Sequence, residues 1–503
     1  MSRAQQPNAA WTPPPEGSVL GHPRALWMLF GAEFWERFSY YGMRAILGPY
    51  VAMAFFSHLG AEANAQASLT YGGYTSMVYM TGIAGGYVAD RILGYQRSIL
   101  LGGALMSAGL FFLLAPSLSM FLVGLGLLVV GNGLFKPNIS TMVGQLYAPG
   151  DVRRDSGFTI FYMGINAGAF FAPIVCGTIV GATFGFKWGF FAAAVGMVFG
   201  LTVFQLLRGW LGHIGKPPAG REGLGPVAAV LAASLVLLAP VYVLLSKNEV
   251  LGYLLIAMMV GLVVYFVGSG IARKDKVQLE RYIAMMILFA ANIIFWSLFE
   301  QAGSSLNFFA RDFVNLDLGL FEINFTIFQS VNPIFILALA PVFAKLWPAL
   351  DRAGLNPSIP RKFALGLLGV AVGFYVLVFA IEHMQDGAGK VPAVMLALCY
   401  LIHTMGELCL SPIGLSMVTK LARPSEVGLA MGGWFLSVAM ANFVAGRIAA
   451  IATAGGGGHG AAAASSIAGY SAVFWQLVVF GGVAAGLFFL AAPFVNRLMH
   501  GVK

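Results

Sequence analysis

Long stretches without a single charge recur along the chain, separated by short segments where charged residues, glycine and proline collect. Between Ser98 and Phe135 no Asp, Glu, Lys or Arg occurs, yet Pro116 and Ser117 interrupt the run, which predicts two helices joined by a tight turn. The same pattern predicts spans near 24–56, 68–92, 96–115, 118–146, 156–181, 187–208, 225–246 and 250–272. Six more follow near 281–310, 322–346, 361–383, 391–420, 427–453 and 468–496. Each is long enough for the roughly 20 apolar residues that cross a bilayer as a helix. The expected fold class is therefore all-α, a polytopic membrane protein of fourteen spans. The Gly- and Ala-rich stretch 454–465 reads as a flexible loop. The start of the chain up to Ser18, with Pro13, Pro14 and Pro15 and no compact apolar block, reads as a disordered cytoplasmic tail rather than a signal peptide.

Composition excludes a water-soluble domain: of 503 residues 59% are hydrophobic and 10% charged, against about 25% charged in soluble proteins. Mean hydropathy is +0.81. The net charge of +9 would raise the question of nucleic acid on a soluble chain; here its placement matters more. With the N-terminus inside, 21 of the 29 Lys and Arg residues fall on the inner side and only Lys187, Lys247, Arg311 and Lys390 on the outer side. That asymmetry is the one expected of cytoplasmic loops. The spans divide as six, two and six: a tail over 1–23, a bundle over 24–208, a linker with an inserted hairpin over 209–276, a second bundle over 277–497 and a tail over 498–503. Two six-helix halves with a site at their interface form a common transporter plan.

Glu33, Glu36, Arg37, Arg44, Lys136, Glu300, Glu407 and Arg447 fall inside predicted spans. At about 2.5 kcal/mol each, such groups are too costly to stand alone, so they pair or line water. On a helix of 100° per residue, Glu33, Glu36, Arg37, Tyr40, Tyr41 and Arg44 share an arc of about 140°, opposite Trp35, Met43 and Leu47. A static salt-bridge cluster between helices is one account of the stripe. A cavity-lining stripe is the better one, because two guanidiniums and two tyrosines exceed what helix packing needs.

Lys136 precedes Pro137, which breaks the helical ladder, and Arg37, Arg44 and Lys136 together suit a carboxylate. Glu407 stands near Pro412, and Glu300 follows Phe295 and Trp296. Cations lie mainly in the first half and acids in the second, which matches a zwitterionic ligand. Asp90 and Arg91 fit a cytoplasmic turn of structural or gating use. Arg447 reads as a snorkelling cation. His58, His213, His383, His459 and His500 have no partner spacing, and the role of His403, four residues before Glu407, stays open. Cys176, Cys399 and Cys409 read as small hydrophobes without metal-ligand spacing. No Walker A, haem-attachment or HExxH motif occurs, so no cofactor and no metal is implied.

The stretch Glu33-Phe-Trp-Glu-Arg-Phe-Ser-Tyr-Tyr-Gly42 resembles the ExxERFxYYG signature of the proton-coupled oligopeptide transporter family, within the major facilitator superfamily. Gly85 to Gly94 and Phe161 to Gly168 resemble two further signatures of that family, in the expected order. The resemblance implies that Arg37, Arg44 and Lys136 hold a peptide carboxylate, and that Asn166, Asn332 and Glu407 hold its amino end. It further implies that Tyr40, Tyr41, Tyr79, Trp296 and Trp434 line side-chain pockets. Glu33, Glu36, Arg37 and Glu300 would handle protons, with Asp90, Arg91, Lys136 and Glu300 in gating and Glu300 exchanging partners such as Lys136. Gly73 stands where animal members carry a histidine, so proton transfer would rest on carboxylates, and Ala169 replaces the usual Ser of the third signature. The implied function is import of di- and tripeptides with protons across the inner membrane, by a monomer in the lipid bilayer with both termini cytoplasmic and no nucleic-acid partner. The rivals are a proton antiporter exporting small molecules and a receptor or channel.

Overall fold

The computed structural model describes residues 11–15, 17–319, 321–454 and 466–502. Among them run α1 (Arg24–Phe55), α2 (63–93), α3 (Tyr95–Phe112), α4 (Leu118–Gln145), α5 (Arg153–Phe184), α6 (Phe186–Leu207) and α7 (Gly225–Ser246). The second part holds α8 (Asn248–Ala272), α9 (Lys276–Phe313), α10 (Phe325–Arg352), α11 (Ile359–His383), α12 (Ala393–Leu421), α13 (Val427–Thr453) and α14 (Ile467–Leu498). Fourteen spans were expected, and the described residues form fourteen long helices. By length and composition alone eleven of them are apolar enough to cross a membrane; α1 is not, because Glu33, Glu36, Arg37 and Arg44 lie along it.

Apolar runs become helices here because lipid offers no partner for a free backbone N–H or C=O. Side chains take over at the ends. Ser117 Oγ accepts from the Met120 N–H (3.3 Å) where α4 begins, and Asp275 Oδ1 from the Gln278 N–H (3.1 Å) where α9 begins. Two strand pairs of two residues each, Ser18–Val19 with His22–Pro23 and Val314–Asn315 with Val391–Pro392, tie loops together without changing the class.

Because an even number of spans alternates in direction, the start of α1 and the end of α14 lie at one end of the bundle, called here the terminal end. The first six and last six spans meet where α2 packs on α13 and α5 on α10. The pair α7 and α8 stands at the periphery with Leu235, Val236, Val260 and Val264 exposed. Gln96 and Arg97 pin the linker before α7, donating to Ile214 O (2.7 Å) and Gly223 O (2.8 Å).

Two expectations change. The described part of the N-terminal tail is packed rather than disordered: Trp11 donates to Gln145 O (3.3 Å) and Thr12 lies 2.9 Å from His213 Nε2. Residues 1–10, and with them Arg3, lie outside the described residues, as does the Gly/Ala-rich loop from 455 to 465. Helices α4 and α12 continue through Pro137 and Pro412, within the spans expected over 118–146 and 391–420. Conversely α9, expected as one helix over 281–310, tightens to a single i→i+3 turn at Glu300–Gly303, and Ser304 leaves the helical region (φ −126°, ψ −97°).

Candidate functional site

The charged stretch of α1 lies inside the protein, with Glu33, Glu36 and Arg37 all buried. Arg37 sits between the two acids: its Nη2 donates to Glu36 Oε1 (2.7 Å) and its Nε lies 3.2 Å from Glu33 Oε1. Asn132 of α4 donates a further hydrogen bond to Glu36 Oε1 (3.2 Å). Tyr40 lies under the guanidinium, 5.1 Å from ring centre to Cζ. Glu36 therefore has both oxygens engaged, whereas Glu33 Oε2 has no hydrogen-bond partner.

Two turns further along α1, Arg44 reaches across to the other half. It pairs with Glu300 and donates to the Tyr71 hydroxyl of α2. The break in α9 makes this possible. A Cβ on Gly303 would collide with the Tyr71 ring, so only glycine lets α9 come this close beside Glu300. Glu300 was expected to exchange partners, Lys136 among them; in this structure its partner is Arg44.

Lys136 makes no ion pair among the described residues; its Nζ lies 4.9 Å above the Tyr79 ring. Arg37, Arg44 and Lys136, expected together to suit a carboxylate, thus differ in how they are engaged. Each guanidinium is neutralised by a carboxylate within reach, as the cost of a lone charge in a span demands, and the ammonium alone is left open. In the other half Glu407 Oε2 accepts from Asn332 Nδ2 (2.9 Å), which also donates to Thr404 Oγ1 (3.0 Å).

These groups surround one cavity of about 320 Å³ between the halves. Its walls include Glu33, Arg37, Tyr41, Arg44, Tyr79, Lys136 and Asn166 from the first half, and Trp296, Glu300, Asn332, Glu407 and Trp434 from the second. Glu36 and Tyr40 stand behind that wall rather than in it. Asp90 and Arg91 are exposed at the terminal end, where Asp90 accepts from the Tyr95 hydroxyl (2.6 Å) and Arg91 lies 5.9 Å from the Tyr87 ring centre. Arg447 rests over Phe443 (5.4 Å). His403 is buried and donates from Nε2 to Val370 O (3.1 Å), a packing role outside the cavity.

Tyr162, Gln329 and Tyr400 also line the cavity and were missed. They are uncharged, so a search for charges in apolar runs passes over them; the available signal was a lone Gln or Tyr at helical spacing from a charged wall residue. Gln329 and Tyr400 both donate to Ala302 O (2.6 and 3.2 Å), the carbonyl beside the α9 break.

The cavity is closed away from the terminal end. There α2 and α13 touch through backbone: a Cβ on Gly72 would stand 2.6 Å from Gly446 Cα. Asn307 donates to Ala45 O (2.9 Å) and Ser330 to Phe170 O (2.7 Å), both between halves. Its exposed wall residues, Tyr162 and Leu415, lie toward the terminal end. Among the described residues no group of three or more His, Cys, Asp or Glu could hold a metal ion.

A family model described as the POT family matches residues 96–461. An uncharacterized transporter of Bacillus subtilis is 36% identical over 497 residues, 97% of each chain. A peptide transporter of Yersinia enterocolitica is 37% identical, covering 86% of this chain and 88% of its own, and a di-/tripeptide transporter of Lactococcus lactis is 37% identical over 84% and 88%. Among solved structures, a mutant of the peptide transporter POT in complex with alafosfalin aligns over 97% of this chain and 98% of its own, at TM-score 0.83 and 37% identity.

Proposed function

Because this chain belongs to the POT family of transporters, we propose that it imports di- and tripeptides together with protons across the bacterial inner membrane. The observation that carries this reading is the pair of opposite, differently prepared charges on the cavity wall. Lys136 offers an ammonium without an ion pair from the first half, and Glu407 offers a carboxylate oriented by Asn332 from the second. A peptide's carboxylate and ammonium match the two ends. The tyrosines and tryptophans between them, Tyr41, Tyr79, Trp296 and Trp434, give side chains an apolar but adaptable surface. Asn166 assists at the amino end.

Coupling follows from Glu33. An oxygen without a hydrogen-bond partner, on a carboxylate that shares its arginine with Glu36, can take a proton without breaking the Arg37–Glu36 pair. Alternation follows from the Arg44–Glu300 pair, which closes the far end while the cavity faces the terminal end. Opening the far end requires that pair and the α2–α13 contact to part, with 24–208 and 277–497 moving as units and Asp90 and Arg91 changing neighbours at the terminal end. The charge asymmetry of the loops supports a cytoplasmic position for that end. The carrier acts as a monomer and needs no cofactor, the proton being a co-substrate. Uptake of a labelled dipeptide into proteoliposomes, with and without an inward proton gradient, tests the proposal. Accumulation that requires the gradient is the expected result; dipeptide-independent efflux of small molecules would favour an exporter.

A further inference from the structure

The terminal end carries a second polar recess, apart from the transport cavity. It has a volume of about 390 Å³ and lies where the end of α10, the start of α11 and the end of α14 converge. Lys362, in the first turn of α11, lines it and is only 8% exposed. Its ammonium has no hydrogen bond or ion pair with any described residue; Nζ lies 4.3 Å above the Trp347 ring. A buried ammonium whose nearest lining acid, Asp351, stays beyond ion-pair distance is costly unless a ligand supplies charge at closer range.

The surroundings fit a ligand of that kind. Ser358 occupies the position before the first helical residue of α11, where a hydroxyl ordinarily accepts from the helix. Its side chain makes no such bond, and Oγ is buried without a partner. The helix start adds partial positive charge, although Pro360 has no N–H and the Lys362 N–H is bonded to Ser358 O (2.9 Å), which leaves those of Ile359 and Arg361 in its first turn. Arg361 completes the rim, its Cζ 5.6 Å from the ring centre of Phe489. The one acid in the lining, Asp351, accepts from Asn356 Nδ2 (3.1 Å) and reaches neither cation within 4.0 Å.

We propose that this recess binds the phosphate of an anionic phospholipid headgroup. The guanidinium fork, the ammonium and the helix start together present donors to several phosphate oxygens. The acyl chains would run along α14, where Phe489, Leu490 and Phe494 are 51%, 78% and 59% exposed to the bilayer.

The full-length protein in detergent is titrated with short-chain phosphatidylglycerol, short-chain phosphatidylcholine and inorganic phosphate. Native mass spectrometry reads bound mass and thermal unfolding reads stabilisation. Phosphatidylglycerol should bind and stabilise in preference to phosphatidylcholine, and Lys362→Gln should weaken it about tenfold, the scale of one charge-assisted hydrogen bond. Arg361→Gln, at an exposed position, should weaken it as well. Lys345→Gln, an exposed cation of α10 outside the recess, should leave it unchanged. Binding of inorganic phosphate with the same dependence on Lys362 and Arg361, and no preference for the lipid, would support the phosphate chemistry and assign it to a free ion. Equal binding of the two lipids, no effect of either recess variant, or an equal loss in Lys345→Gln would overturn the site.

Discussion

Arg44 of α1 holds Glu300 of α9 in an ion pair that joins the two halves of the molecule where the cavity closes. Both side chains are buried, at 11% and 4% exposure, so each depends on the other to offset its desolvation. Arg44→Ala should strand Glu300 and cost about 3–5 kcal/mol, the range for breaking a buried pair from one side. Arg44→Ala/Glu300→Ala should recover much of that loss. Thermal unfolding of the three variants in detergent checks this; a double variant no more stable than either single one would mean that the pair does not hold the closed end.

Closure at the far end also rests on space rather than charge. Gly72 and Gly446 bring the backbones of α2 and α13 into contact, and a side chain at either position meets main chain that cannot rotate away. Gly72→Val should therefore prevent the halves from closing there while leaving the Lys136 and Glu407 walls intact. Transport should fall by at least about tenfold, consistent with 1.4 kcal/mol or more of bias against one state, and a cysteine placed near Ser330 should become more reactive to a membrane-impermeant thiol reagent. Unchanged reactivity would count against this contact as the closing surface.

The second-half end of the proposed peptide site makes a sharper claim. Glu407, oriented by Asn332, is assigned to the peptide ammonium. Glu407→Gln should weaken competition by dialanine about tenfold to a hundredfold, the range for a hydrogen bond to a charged group. An N-acetylated dipeptide, which has no ammonium, should then compete equally well against wild type and variant. Wild-type-like preference for the free dipeptide in Glu407→Gln would remove the assignment.

How much of this was legible in the sequence differs between levels. The fourteen spans follow from charge-free runs and from punctuation such as Pro116 and Ser117, because the bilayer leaves a long apolar segment little choice but helix. The break in α9 was not legible. Glu300 to Ser304 contains no proline, and the need for Gly303 comes from Tyr71 on a distant helix. Periodicity placed Glu33, Arg37, Tyr41 and Arg44 on one face of α1, yet a face is not a neighbour. Which acid each arginine meets depends on how α4 and α9 approach, and so Arg44 rather than Lys136 holds Glu300. Tyr40 and Glu36 share the same arc but end up behind the cavity wall, since an arc of 140° is wider than the cavity it faces.

The same distinction separates the two acids of α1 in function. Glu36 accepts from Arg37 and Asn132 and does not touch the cavity, while Glu33 lines it and keeps Oε2 without a partner. A proton that must be loaded and released in each turnover needs a site on the cavity whose protonation leaves the helix packing intact, and Glu33, buried in the cavity wall, meets both conditions. Removing its charge leaves Arg37 still paired with Glu36. Glu33→Gln should therefore lose uphill, gradient-driven uptake but keep peptide-for-peptide counterflow, in which the loaded carrier only shuttles. Glu36→Gln removes the firmer partner of a buried guanidinium, so it should lose both activities and lower thermal stability, as breaking a buried pair does. Measuring the two activities in the same liposomes, together with unfolding temperature, separates the roles. Loss of counterflow in a well-folded Glu33→Gln variant would instead make Glu33 part of the static cluster that holds α1 in place.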